Sequence, residues 1–225
     1  MIRALVFDFD GLILETEGPI FLSWQEVFAS FGFPLSFDIW ATTIGTADAE
    51  FQPAPALEQL VGRALDWEQI EPGRHARELA LAEAQPLLPG VAQALVDARR
   101  LGLKLGVASS SSRAWVEGHL QRRGLRDYFQ AVRTSDDVRF TKPDPELDMA
   151  VLSALGVPGD QALALEDSTP GIRAAKAAGM YCVAVPNHLT RELPMHEADL
   201  RLESLEEMPL EQLLAEITRV HELRK

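Results

Sequence analysis

The run Ala4-Leu5-Val6-Phe7 is apolar, has strand length, and ends at once in Asp8-Phe9-Asp10-Gly11. Its apolar, β-favouring content marks a fully buried strand. In open α/β sheets the carboxyl ends of the strands face the ligand. Residues two apart on a strand share a side, so Asp8 and Asp10 are expected together. Two crowded carboxylates repel unless a cation lies between them, and oxygen-only ligation suits Mg²⁺. The same four residues also suit a solvated turn, which favours Asp and Gly.

Three further segments bear on that choice. Leu103 to Val107 is a second apolar strand, ending in Ala108-Ser109-Ser110-Ser111-Ser112 with a helix expected from Arg113. Hydroxyls, free N–H groups and a helix N-terminus together make an anion site. A helix cap alone would also use serine. Thr141-Lys142-Pro143-Asp144-Pro145 holds a lysine on a stiff loop, because Pro143 keeps Lys142 extended. Ala162-Leu163-Ala164-Leu165 then ends in Glu166-Asp167-Ser168, followed by Thr169-Pro170-Gly171 and a small-residue helix.

The order of these segments is more specific than any one of them. It resembles the four motifs of the haloacid dehalogenase superfamily of phosphotransferases, along nearly the whole chain. Asp8-Phe9-Asp10-Gly11-Leu12-Ile13-Leu14-Glu15-Thr16-Glu17 is most similar to the first motif of the β-phosphoglucomutase-like phosphatases with a helical cap. The resemblance implies an α/β fold, with a Rossmann-like parallel sheet core and an inserted all-helical cap domain.

The resemblance also implies roles. Asp8 is the expected nucleophile and forms an aspartyl-phosphate. Asp10 protonates the leaving oxygen and then deprotonates the attacking water. Ser109 and the Ser110 N–H bind the phosphoryl group, and Lys142 neutralises both the phosphate and Asp8. Mg²⁺ is expected on Asp8, the Asp10 backbone carbonyl and Asp167, with Glu166 ordering a metal-bound water. Thr16 and Glu17 lie near the leaving group. Gly45, within Ile44-Gly45-Thr46, matches a loop that dips into the cleft. Arg77 lies in the cap, where a solvated helix face is the simpler role.

Strands are expected near 2–8, 103–109, 130–134, 162–166 and 180–185, with a short one at 199–201. Helices are expected near 90–101, 113–123, 144–155 and 171–178, and from about 206. This alternation predicts a parallel sheet covered on both faces. Residues 18–86 differ. Phe21, Trp24, Val27, Phe28 and Phe31 recur at helical spacing as a packed face, with Gly32 as a stop. A second stripe runs from Leu57 to Leu65, and Arg77 to Ala84 is helical in composition. Pro53 and Pro55 force a restart between 45 and 62. The expected division is therefore a core of 1–17 and 87–225 with a helical cap of 18–86. The cap would be hinged at Glu15-Thr16-Glu17 and Gln85 to Gly90.

The 225 residues carry a net charge of −13, which disfavours nucleic acid and anionic membranes as partners. Cys182 is the single cysteine and sits in an apolar run, so it is expected in the core. One cysteine, no signal-peptide pattern and no stretch of transmembrane length point to the cytoplasm. The five histidines show no metal-ligand spacing. The expected partner is a small phosphorylated metabolite, met by a monomer.

Two other functions fit parts of the pattern. A receiver-type signalling module also gathers acids and a lysine at strand ends, but its paired acids are adjacent and no large insert follows. A phosphosugar mutase shares the scaffold. Mutases of this family carry a histidine four residues beyond the threonine that matches Thr16, and here that position is Ile20. Phosphatase is therefore the expected activity.

Overall fold

The computed structural model describes residues 1–43 and 51–223. Its centre is β1 (Ala4–Phe7), with all four residues buried. Around it lie β2 (Lys104–Ala108), β3 (Ala131–Arg133), β4 (Ala162–Glu166), β5 (Tyr181–Ala184) and β6 (Leu200–Arg201). Among the described residues they form one sheet in the order β3-β2-β1-β4-β5-β6, parallel throughout.

Register matters most for function. Phe7 is level with Val107 on one side and with Leu165 on the other. The next residues of these strands, Asp8, Ala108-Ser109 and Glu166-Asp167, therefore emerge along one edge. A hydrogen bond from Asp8 N to Leu165 O (3.0 Å) carries the pairing one residue past the strand.

Strand alternation sorts the apolar side chains into two layers. Leu5, Phe7, Leu163 and Leu165 face one helical layer. It comprises α5 (Val91–Arg100), α6 (Arg113–Arg122) and α9 (Leu210–Leu223). Ala4, Val6, Ala164 and Cys182 face α7 (Glu146–Leu155) and α8 (Thr169–Ala177). Each wholly buried leucine or phenylalanine contributes about 1.5–3 kcal/mol through burial. Cys182 is a core thiol, as expected. The C-terminal helix starts at Leu210 and not near 206, because Pro209 occupies its entrance and its carbonyl accepts from Leu213 N.

Between β1 and α5 the chain forms α1 (Glu17–Ser30), α2 (Phe37–Trp40), α3 (Pro53–Val61) and α4 (Trp67–Glu83). These helices have their own core of Phe28, Leu35, Trp40, Leu57 and Leu65, with Phe21 and Trp24 packed against it. The aromatic stripe is thus a packing face. Gly32 follows the end of α1, and α3 restarts at Pro53. The sequence placed a helix only from Arg77, but α4 begins ten residues earlier and runs through Pro72. The insert leaves and rejoins side by side: Leu14 bridges Leu87, and Leu88 N donates to Ile13 O (3.1 Å). No helix among the described residues is long and apolar enough to cross a membrane.

Candidate active site

Lys142 joins the strand ends. Its Nζ donates to Asp8 Oδ1 (2.6 Å), Glu166 Oε1 (2.6 Å) and the Ala108 carbonyl (2.7 Å). The side chain is buried, and its three N–H bonds are all used. Burial opposes the charge, but the Asp8 and Glu166 carboxylates prevail and hold the ammonium firmly protonated.

Asp8, Glu166 and Asp167 are all buried and present carboxylate oxygens within 4.8 Å of one another. Burial pushes all three carboxyl groups up, and each is raised further by its acidic neighbours. One ammonium faces three carboxylates, and Glu166 Oε2 is buried without a hydrogen-bond partner among the described residues. That donor set fits a hard divalent cation such as Mg²⁺, which takes carboxylate oxygen and neutralises the excess charge. Glu166 thus belongs to the carboxylate trio itself. The Asp10 carboxylate stands outside the trio, so the expected sharing of one cation between the Asp8 and Asp10 side chains is not what the described residues show; Glu166 takes the second place.

Two glycines leave room for these acids. Gly11 has φ +82°, and a Cβ there would overlap Asp167; a Cβ on Gly171 would overlap the Glu166 carboxylate.

Asp10 is held separately, by four donors. Thr16 Oγ1 (2.7 Å) and Trp115 Nε1 (2.8 Å) donate to Oδ1, while Ser111 Oγ (2.6 Å) and Ser109 Oγ (3.2 Å) donate to Oδ2. The four serines therefore divide their work. Ser109 and Ser111 orient Asp10, and Ser112 caps α6 by accepting from Trp115 N (3.4 Å). The Ser110 hydroxyl is buried and makes no hydrogen bond among the described residues. His119 packs edge-on against Trp115 at 4.4 Å, and burial pushes it down to about 4, so it acts as a neutral wall.

Glu17 begins α1 and is half-buried. Burial, Asp10 and Glu15 push its carboxyl up to about 8. Arg77 pairs with Glu26 on a half-exposed face, so it has the solvated role. Gly45 lies outside the described residues.

Ser111, expected as part of an anion site, instead bonds Asp10, and two contributors escaped the sequence reading. Trp115 is one. The other is Asn187, just beyond β5, whose Nδ2 donates to Asp167 Oδ2 (2.9 Å) and to the Gly11 carbonyl (3.0 Å). Its own Oδ1 accepts from Leu189 N (2.8 Å) and Thr190 N (3.1 Å), which fixes the amide. An asparagine at a strand's carboxyl end was the available signal. Asp148 on α7 is a further surprise: it is buried, neither carboxylate oxygen has a partner among the described residues, and burial pushes it up to about 6.

A cavity of about 410 Å³ lies between the insert and the core, bordered by Ile20, Arg74, Glu78, Ser111, Trp115 and Arg122. Two of its lining residues, Ser111 and Trp115, also donate to the Asp10 carboxylate.

This arrangement of strand ends has relatives. The haloacid dehalogenase-like hydrolase family model matches residues 5–185. The Bacillus subtilis (strain 168) protein YhcW, named as a phosphatase, is 46% identical over 214 residues, spanning 95% of this chain and 97% of its own. Hexitol phosphatase B of Escherichia coli (strain K12) is 31% identical over 233 residues, covering 95% of this chain and 97% of that protein. The crystal structure of a CbbY variant from Rhodobacter sphaeroides in complex with xylulose-(1,5)-bisphosphate superposes with a TM-score of 0.73. That pair is 32% identical, covering 92% of this chain and 96% of the other. The chain belongs to the haloacid dehalogenase-like hydrolases and is a phosphoric monoester hydrolase of that family.

Proposed function

We propose that the chain hydrolyses a small phosphorylated metabolite, with Asp8 as nucleophile and Asp10 as acid and then base. The observation that carries this reading is the separate treatment of the two carboxylates. Asp8 is gripped by a cation, whereas Asp10 is aimed by four neutral donors.

Asp8 Oδ attacks phosphorus, and the bond to the ester oxygen breaks. Asp10 gives its proton to that oxygen and the alcohol leaves. Asp10 then takes a proton from water, the water oxygen attacks phosphorus, and the bond to Asp8 breaks. One carboxyl serves both steps because the half-reactions run in opposite proton senses. Lys142 orients Asp8 and opposes the burial that pushes its carboxyl up, and it offsets phosphate charge as a compact point cation. Asp8, Asp167 and the Asp10 carbonyl, with Glu166, would hold Mg²⁺. Bound there, Mg²⁺ supplies charge neutralisation between two anions. The helical insert acts as the lid, and its residues choose the leaving group.

Hydrolysis is favoured over phosphosugar mutation by Ile20. It lines the cavity beside Ser111 and Trp115 but offers neither donor nor acceptor to couple lid closure to Asp10. The test is to supply β-glucose 1-phosphate with a trace of the 1,6-bisphosphate, alongside a panel of small phosphate esters. Free phosphate is the expected product. Rapid glucose 6-phosphate formation with negligible free phosphate would establish the mutase instead.

A further inference from the structure

We infer that Leu189 ties the helical insert to Asp167, so that the seating of the insert against the sheet sets the affinity for Mg²⁺. This rests on the metal assignment above and adds a positioning residue to it.

The chain after β5 folds into a tight turn around Asn187. Its Oδ1 accepts from Leu189 N (2.8 Å) and Thr190 N (3.1 Å), its own N–H donates to Thr190 Oγ1 (3.0 Å), and its carbonyl accepts from Arg191 N (3.1 Å). Asparagine and threonine suit such a turn, because their side chains bond backbone groups a few residues away. Both are buried here. The turn is therefore braced across its width.

Its two ends are attached to different parts of the molecule. Asn187 Nδ2 donates to Asp167 Oδ2 (2.9 Å) and to the Gly11 carbonyl (3.0 Å). Two residues on, the half-buried side chain of Leu189 packs against the insert's own core of Phe28, Leu35, Trp40, Leu57 and Leu65. Every other described member of that cluster lies between residues 20 and 70, so Leu189 is the one contributed from outside the insert. The path is contiguous: insert core, Leu189 side chain, Leu189 N–H, Asn187 amide, Asp167.

The far end has no slack. A Cβ on Gly11 would lie 2.7 Å from Asn187 Nδ2, so the amide is wedged between Gly11 and Asp167. A group that orients a ligand carboxylate governs metal affinity. Moving Leu189 withdraws one of the two N–H groups that fix the Asn187 amide, and Asp167 loses its aim. The linkage is reciprocal: Mg²⁺ must steady the insert by the factor that the insert gains for Mg²⁺.

The test titrates Mg²⁺ into the metal-free full chain by calorimetry, with no substrate present. Leu189→Ala should weaken binding about 5–20-fold, within the range of coupling between sites. Leu189→Met keeps an apolar side chain of similar volume and should stay within about twofold of wild type. In an Asn187→Ala background, Leu189→Ala should change the affinity by less than about twofold, because the carrier is gone; a general loosening would add its full loss in both backgrounds. Hydrogen exchange in wild type reads the linkage in reverse and needs no variant. Saturating Mg²⁺ should slow exchange in α3, which carries Leu57 of the insert core, about 5–20-fold. Wild-type affinity in folded Leu189→Ala, an equal loss in both backgrounds, or exchange in α3 that ignores Mg²⁺ would overturn the coupling. If Leu189→Ala does not fold, the exchange result decides alone. A wild type that binds no Mg²⁺ would overturn the coupling and the metal assignment together. Phosphate release from p-nitrophenyl phosphate, followed in parallel, keeps the phosphatase reading separate: it stands if wild type releases phosphate, whatever becomes of the coupling, and falls if no ester is cleaved.

Discussion

The indole Nε1 of Trp115 donates to Asp10 Oδ1 at 2.8 Å, joining the first turn of α6 to the carboxylate after β1. A helix that caps on Ser112 thereby carries a donor straight to the carboxylate proposed as acid and base. Trp115→Phe keeps most of the ring and deletes the N–H. It should lower kcat about tenfold, the scale of one hydrogen bond to a charged group. Steady-state kinetics on the best ester checks this, and an unchanged kcat would show that the other three donors suffice.

Lys142 stands between two buried carboxylates. Lys142→Met leaves Asp8 and Glu166 without their counter-charge and should cost about 3–5 kcal/mol of stability in the metal-free protein. Urea unfolding in EDTA measures it. Lys142→Arg should not rescue activity, because a planar fork replaces a compact ammonium set among three acceptors at 2.6–2.7 Å. Wild-type stability in Lys142→Met would contradict the network.

Asn187 fixes Asp167 without belonging to the carboxylate trio. Asn187→Ala should raise the Mg²⁺ concentration for half-maximal activity about 10–100-fold, the range seen when a group that orients a metal ligand is lost. Excess Mg²⁺ should recover most of the rate. Unaltered metal dependence would separate Asn187 from the metal site.

Glu17 gives a pH signature. Its carboxyl sits at about 8 when folded and at 4.5 when free. Between those values the folded chain holds a proton that the unfolded chain has released, so this group's contribution to stability falls as pH rises through the window. Glu17→Gln, measured in EDTA, should gain Tm over the parent at pH 8 and gain little at pH 5. Equal gains at both pH values would place Glu17 in ordinary solvent.

What the sequence made legible follows from geometry that repeats. Asp8, Ser109, Glu166 and Asp167 follow apolar strands, and parallel register brings strand ends together whatever lies between them. The helical insert was visible because Phe21, Trp24 and Phe28 keep a helical period. The rest depends on convergence that no local pattern encodes. Trp115 resembled an ordinary helical aromatic, and Asn187 an ordinary loop residue. The first half of α4 was hidden because Pro72-Gly73 looks like a break, yet the helix runs on through Arg74, which pairs with both Glu71 and Glu78. Asp148 is an acid on a helix that otherwise buries Leu147, Val151 and Leu155, and composition gives no hint that it is buried.

The central claim is that Asp8 is the nucleophile. The direct measurement is phosphate release by Asp8→Asn against wild type, at saturating Mg²⁺, with folding checked by circular dichroism. An amide of the same shape cannot attack phosphorus, so the variant should stay folded and lose more than ~10³-fold in rate, or about 4 kcal/mol of transition-state stabilisation. A folded variant that keeps a tenth of the wild-type rate would contradict the account.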